Sequence, residues 1–126
     1  MSAPFIFVTT HMINEEQLDD FEALTDDYMH NVETNEPQVL AQHAYLSADR
    51  TEVSFVHIHA DAESADRHMQ VAGEQIGQGL ALTESNLRVE VYGAPGPVLR
   101  QALEANAAKG TVVSVKPSRL AGFARS

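Results

Sequence analysis

Hydrophobic positions along the chain change their spacing several times, and each change predicts a new element. Residues 5–13 are mostly aromatic and β-branched, which is typical of a buried strand. Asn14 stands where a helix N-cap is expected, and two glutamates follow it in the first turn, where the helix dipole favours negative charge. Apolar residues in Leu18–Val32 then recur at three- and four-residue steps. We predict an amphipathic helix there that ends near Glu33, ahead of Pro37.

The remainder of the first 96 residues predicts three more strands and a second helix. The segments Gln38–Leu46 and Thr51–His59 form a hairpin around a short loop. Asp61 caps the second helix, whose end is weakened by three glycines, and Leu87–Tyr92 alternates as a fourth strand. The order β-α-β-β-α-β is that of a ferredoxin-like α+β sandwich, which we assign to residues 1–96.

A break rich in proline and glycine, Gly93–Pro97, leads into a C-terminal extension, residues 97–126. Its pattern predicts a helix over Val98–Lys109, stopped by Gly110, and a fifth strand over Thr111–Val115. The extension is too short to be a domain of its own. A lone strand has to join an existing sheet edge, in its own subunit or in a neighbouring one.

Composition restricts the class of protein. The chain has 126 residues, 44% of them apolar, so we expect one domain. Because it has no cysteine, we expect no disulfide, no thiolate nucleophile and no Cys-ligated metal. Its net charge of −10 argues against a nucleic-acid partner. No apolar run approaches the roughly 20 residues of a membrane span, and the start lacks the basic region of a signal peptide. We therefore expect a cytoplasmic protein that does not bind membranes.

The charge is distributed unevenly. Residues 1–96 carry a net charge of −14, whereas residues 97–126 carry +4. A basic segment on an acidic body binds an external polyanion or docks on that body or on a partner subunit. We favour docking, and we expect the extension to contact the second subunit of a homodimer.

Three short motifs resemble those of the antibiotic-biosynthesis-monooxygenase (ABM) family of dimeric α/β barrels. The acidic helix start Asn14–Leu18 follows the first strand, and Glu36–Pro37 stands at the entry to the second, where the family commonly has Glu-Pro-Gly. The run His57–Asp61, followed by Ala65 and His68, resembles the family pattern Glu-x-Trp-x-Asp with an Ala and a His on the next helix.

The resemblance covers residues 5–93 and implies a homodimeric barrel that oxidises a small molecule without a cofactor. His57 and His59 stand at the family's usual Glu and Trp positions, and Gln38 stands where Gly is common. Fold alone does not determine function in such a family.

Some relatives in the family bind and degrade haem with Asn, Trp and His. The corresponding positions here are Thr9 or Thr10 on the first strand, His68 and Gln78. The resemblance therefore implies no haem, and we expect no cofactor.

Both faces of the predicted sheet carry apolar residues, so both need a cover. We expect four aliphatic side chains to meet the helices: Ile6, Val8, Val56 and Ile58. The face with the Phe and His side chains would then line a barrel between two subunits, which implies an obligate homodimer. The reverse assignment of the faces is the alternative.

Histidines on that second face are the candidate catalytic residues. His57 and His59 are two positions apart on a strand and point the same way, and His11 lies on the adjoining strand. Such imidazoles serve as general base and orienting donor, bind zinc or iron, or line a packed cavity. We assign no metal, because no carboxylate ligand has a place beside them. Further pocket candidates are Phe7, Thr9, His43, Tyr45, Phe55 and His68.

The function predicted from these residues and the resemblance is cofactor-independent oxygenation of an aromatic or polyketide-like molecule, with a histidine accepting a proton from a phenol or enol. The alternatives are a non-catalytic, ligand-binding or stress-related dimer and a His-ligated metal protein. An isomerase or cyclase on this scaffold would have the same sequence features. An open cavity of roughly 300 Å³ or more would favour a ligand site over a packed interface.

Overall fold

A computed structural model describes residues 3–125. The first two residues of the predicted domain, Met1 and Ser2, and the last residue of the extension, Ser126, lie outside the described residues. Within residues 3–125 the chain forms five strands and four α-helices. The strands are β1 (Phe5–Met12), β2 (Val39–Leu46), β3 (Glu52–His59), β4 (Ser85–Tyr92) and β5 (Val112–Lys116). The helices are α1 (Leu18–Asn35), α2 (Ala62–Val71), α3 (Gly73–Leu80) and α4 (Pro97–Ala108), and a 3₁₀ turn, Glu15–Gln17, precedes α1.

The five strands form one sheet in the order β2-β3-β1-β4-β5. β1 pairs antiparallel with both β3 and β4, which is the ferredoxin-like arrangement, so the predicted α+β fold is confirmed. β5 pairs parallel with β4 and extends the sheet within its own subunit. The lone fifth strand therefore has a sheet edge in its own subunit and does not need a neighbouring sheet.

The helix ends follow from the polar residues that the sequence places there. The Asn14 side chain accepts a hydrogen bond from Glu16 N at 2.8 Å, and Asp61 accepts one from Ser64 N at the same distance. The predicted second helix is interrupted at Ala72, beyond which α3 begins at Gly73. Glycine is a weak helix former, which accounts for a break where the sequence pattern predicts a single helix.

The structure reverses the predicted faces of the sheet. Phe5 and Phe7 are buried beneath the helices, in a core that includes Leu99 and Leu103 of α4. The aliphatic row with Ile6 and Val8 lies on the opposite face and is half-buried. Because both rows are apolar, their alternation does not show which row faces the helices. The apolar side chains of α4 pack on the row with Phe5 and Phe7, and this contact places that row beneath the helices.

The contact between α2 and α4 fixes the extension on the body. Asp66 on α2 accepts a hydrogen bond from Leu99 N at 2.9 Å, and its carboxylate lies at the positive end of the α4 dipole. A Cβ at Gly96 would collide with this carboxylate. Gly96 provides no side-chain cap of its own, so Asp66 supplies the acceptor that the start of α4 needs. Among residues 3–125, no helix is both long and apolar enough to cross a membrane.

Candidate functional site

A cavity of about 130 Å³ lies between the helices and the face of the sheet that carries Phe7 and His57. Strands β1, β3 and β4 and helices α1 to α4 all contribute to its wall. The wall is mainly apolar and includes Phe7, Phe21, Phe55, Ile76, Leu99 and Leu103. Leu80 also lines it and is 41% exposed, so the cavity reaches the surface beside the end of α3. The cavity is formed within one chain, whereas the sequence suggested a barrel between two.

Six of the nine predicted site residues line this cavity: Phe7, Thr9, His11, Phe55, His57 and His68. His43 and Tyr45 do not, because they lie on the opposite face of β2, where Tyr45 is 65% exposed. The register between β2 and β3 places Gln42 opposite His57 and His43 opposite Val56, which is on the outer face of the sheet. This register is continuous from the hairpin to Ala41, and the irregularity between Val39 and Ala41 lies beyond His43.

His59 is buried behind the cavity wall and joins β3 to the start of α2. Its ring Nδ1 donates to Ser64 Oγ at 2.9 Å, and this hydroxyl in turn donates to the carbonyl of Gln38 at 3.1 Å. Burial lowers the pKa of His59 to about 4, and the neighbouring His68 ring adds to this effect. His59 is thus a neutral, anchored side chain at neutral pH.

His11 and His57 are buried in the cavity wall without such anchors. Within the described part of the chain, the Nδ1 atoms of both rings and Oδ1 of Asn86 have no hydrogen-bond partner, and all three residues line the cavity. An unpaired buried polar atom costs about 1–3 kcal/mol, which a ligand donor would recover at Asn86 Oδ1 and a donor or an acceptor, according to the tautomer, at either Nδ1. Burial lowers the pKa of His11 to about 4 and that of His57 well below its usual value. Both rings are therefore neutral hydrogen-bonding groups.

The ring of His57 is held in position by stacking. It lies parallel to the Phe7 ring, with centroids 4.0 Å apart and an interplanar angle of 8°. The His59 ring lies on the same side of β3, 6.2 Å from that of His57. Among residues 3–125, no group of three His, Asp or Glu side chains is arranged to hold a metal ion.

Four side chains form a hydrogen-bonded chain, and its two middle members, Tyr28 and His68, line the cavity. Gln42 Nε2 donates to Tyr28 Oη at 2.6 Å, Tyr28 Oη lies 2.7 Å from His68 Nε2, and His68 Nδ1 lies 3.1 Å from Glu36 Oε1. An amide N–H only donates and a carboxylate only accepts, so the phenol donates to Nε2 and the imidazole donates to Glu36. With these directions each hydrogen bond has one donor and one acceptor, and Gln42 Oε1 has no partner within the described residues.

The protonation states agree with this assignment. Burial raises the pKa of Tyr28 well above its usual value; the hydrogen bond from Gln42 opposes the increase and the charge of Glu36 adds to it. Burial lowers the pKa of His68, and the Glu36 carboxylate opposes this decrease. Near neutral pH the phenol of Tyr28 and the imidazole of His68 are therefore both neutral.

Sequence reasoning missed three members of this chain: Tyr28, Glu36 and Gln42. Tyr28 belongs to the apolar stripe of α1, and that pattern predicts its burial but no partner. Glu36 was noted as part of the Glu-Pro pair, which was the available signal. The hydrogen-bond partners of Tyr28 lie 14 and 40 residues away in the sequence, so no local pattern connects them with Tyr28.

No family model matches the sequence, and neither does any curated protein. Solved structures do match. MupZ from Pseudomonas fluorescens has a TM-score of 0.72 at 18% identity, with 96% of each chain covered. A protein described as an antibiotic biosynthesis monooxygenase has a TM-score of 0.62 at 16% identity, covering 73% of this chain and 99% of its own. Rv0793 from Mycobacterium tuberculosis has a TM-score of 0.62 at 20% identity, covering 75% and 97%.

At these identities the likeness shows the fold. The ABM-like fold predicted from the three sequence motifs is confirmed by these matches. A 96% coverage includes most of residues 97–126, so the helix-strand extension has a counterpart in the Pseudomonas fluorescens protein. The other two structures leave about a quarter of this chain uncovered.

Proposed function

We propose that this protein is an ABM-like enzyme that oxygenates a single-ring phenol or a similar apolar hydroxyl compound without a cofactor. The supporting observation is the apolar cavity whose wall holds unpaired polar atoms of His11, His57 and Asn86. A volume of about 130 Å³ is close to that of the engineered apolar cavities, about 150 Å³, that admit one benzene ring. It is below the roughly 300 Å³ that would by itself favour a ligand site over a packed interior, and it has room for a single-ring compound but not for a polyketide-like one.

The proposed reaction is balanced without an external reductant. The substrate hydroxyl loses its proton, the phenolate passes an electron to molecular oxygen, and the two radicals combine at a ring carbon. The resulting hydroperoxide loses water and leaves a quinone. One oxygen atom enters the product and the other leaves as water, so all four electrons come from the substrate. His57 and His11 would hold the hydroxyl group, and His59 would position the strand behind them.

Ligand binding without catalysis is the second candidate function. It is favoured by the lowered pKa values of His11 and His57, because burial that keeps an imidazole neutral also makes it a weak base. Such rings are better suited to hydrogen bonding than to removing a proton from a phenol by themselves.

Titration with para-nitrophenol, followed by oxygen-uptake assays with single-ring phenols, tests both candidates. His57→Phe keeps the stack on Phe7 but removes the ring nitrogens, and should weaken nitrophenol binding about tenfold, which corresponds to about 1.4 kcal/mol. His43→Phe, on the other sheet face, is the matched control and should bind as the parent does. Binding without oxygen uptake would support the second candidate, and absence of binding would contradict both.

We also propose that the protein is a homodimer formed through the uncovered sheet face. Ile6, Val8, Val56 and Ile58 form a continuous apolar strip there, because Val8 pairs with Val56 and Ile6 with Ile58. In the extension, Leu120 and Phe123 are strongly exposed beyond β5. These residues are the part of the extension that we expect to contact the second subunit.

A further inference from the structure

We infer that Tyr28, His68 and Glu36 form a proton relay that connects the ligand cavity to the protein surface. This inference rests on the proposed function for the identity of the proton donor, a hydroxyl group bound in the cavity. In this relay the three residues together remove the proton of the bound hydroxyl group. The sequence motifs do not connect these three residues with one another.

The inner end of the relay faces the cavity. Tyr28 and His68 both line it, and the Tyr28 oxygen accepts from Gln42 and donates to His68. A hydroxyl oxygen has two acceptor positions, so one remains for a donor inside the cavity. A bound hydroxyl group can therefore join the existing hydrogen-bonded chain without breaking any of its bonds.

The outer end of the relay faces water. Glu36 lines a second, surface pocket of about 100 Å³ together with Pro37, Gln38, Ser64 and Arg67. Pro37, Gln38 and Arg67 are exposed, and the Glu36 side chain retains 6% of its accessible surface. A proton that arrives at the Glu36 carboxylate can thus leave to solvent without passing back through the cavity.

The transfer is a concerted shift of three protons. The ligand hydroxyl proton moves to Tyr28 Oη, the Tyr28 proton moves to His68 Nε2, and the His68 Nδ1 proton moves to Glu36. The ligand becomes an oxyanion, Glu36 becomes a neutral acid, and Tyr28 and His68 end neutral, with His68 as the opposite tautomer. Each bond that breaks is matched by one that forms, and Glu36 then releases its proton to water.

The relay provides a base that the other cavity histidines do not. His11 and His57 have no carboxylate partner, and burial disfavours a positive charge on either ring. The Glu36 carboxylate accepts a proton without creating a buried cation. A phenol in the cavity is therefore deprotonated through Tyr28, while the unpaired histidine nitrogens hold it in place.

Proton exchange at His68 in the ligand-free protein tests the relay directly. The exchange rate of the His68 Nδ1–H with water is measured by NMR in protein labelled with isotopes at histidine. Glu36→Gln keeps an oxygen acceptor for this N–H but cannot take up the proton, and should slow the exchange by about tenfold or more. Glu33→Gln removes an exposed carboxylate from the last turn of α1, just before Glu36, and should leave the rate unchanged.

Glu36→Asp supplies a second variant, which should restore part of the exchange because it retains a carboxylate. An exchange rate in Glu36→Gln equal to that of the parent would overturn the relay, as would equal slowing in Glu36→Gln and Glu36→Asp. Affinity for para-nitrophenol is measured on the same samples. Lack of binding to the parent contradicts the proposed function, whereas the exchange rates decide the relay independently.

Discussion

At the scale of single residues, four buried histidines on this side of the sheet have two different uses. His59 and His68 are fixed by hydrogen bonds to Ser64 and to Glu36. His11 and His57 have unpaired ring nitrogens and face the cavity. The Nε2 atom of His59 is unpaired as well, but His59 does not line the cavity, so only His11 and His57 combine an unpaired nitrogen with a place in the cavity wall.

Burial of neutral histidines makes the folded protein sensitive to acid. In the unfolded chain each histidine takes up a proton near pH 6.5. In the folded protein His11 and His59 take up a proton only at about pH 4, because burial lowers their pKa values. The free energy of unfolding should therefore decrease as the pH falls from 6.5 to 4, by up to about 1.4 kcal/mol per pH unit for each such histidine. Urea unfolding at several pH values measures this slope.

His11→Gln should reduce that slope, since it removes one of the titrating groups. His30→Gln, at an exposed position of α1, is the control and should keep the slope of the parent. Equal slopes in His11→Gln and the parent would contradict the contribution of His11.

Tyr28 contributes to stability as well as to the cavity. Tyr28→Phe preserves the ring but leaves Gln42 Nε2 and His68 Nε2 without a partner, and we expect a loss of about 1–3 kcal/mol in the free energy of unfolding. Tyr45→Phe removes the same hydroxyl from an exposed ring and should change stability by less than about 0.5 kcal/mol. Denaturant unfolding compares the two, and similar losses would show that the buried hydroxyl has no special role.

At the scale of elements, the sequence predicts the features that depend on local periodicity, which are the positions of the strands and helices. All five strands were found close to their predicted positions, Asp61 caps α2 as predicted, and Asn14 caps the 3₁₀ turn that leads into α1. The sheet faces and the cavity wall were not predictable in this way, because they depend on where α4 packs. The face on which His43 lies also depends on strand pairing, which sets it opposite Val56 on the outer face.

The contact of Asp66 with α4 is the element-scale feature that closes one wall of the cavity. Asp66→Ala removes the acceptor at the start of α4, which should cost about 0.5–2 kcal/mol in the free energy of unfolding. Hydrogen exchange of the α4 amides should also become faster, because this helix loses its attachment to α2. Glu104→Ala, at an exposed position within α4, is the control. Equal protection of α4 in both variants would contradict this assignment.

At the scale of the whole molecule, charge and apolar surface are separated. The acidic residues of α1 lie on its solvent side, and α4 and β5 of the basic extension pack on their own subunit. The uncovered face of the sheet needs a cover, because its apolar strip is the counterpart of the one that the helices bury.

A dimer through this face should be detectable by sedimentation equilibrium. The parent should have twice the monomer mass of 13.7 kDa, because association buries the strip around Val8 and Val56. Val8→Lys places a charge at the centre of the strip and should raise the dimer dissociation constant about 100-fold or more, since an unpaired buried charge costs several kcal/mol. Val71→Lys introduces the same change at an exposed position of α2 and should leave the dimer intact. The cavity lies on the other side of the sheet, so Val8→Lys should still bind para-nitrophenol. A monomeric parent, or equal weakening by both variants, would contradict a dimer through this face.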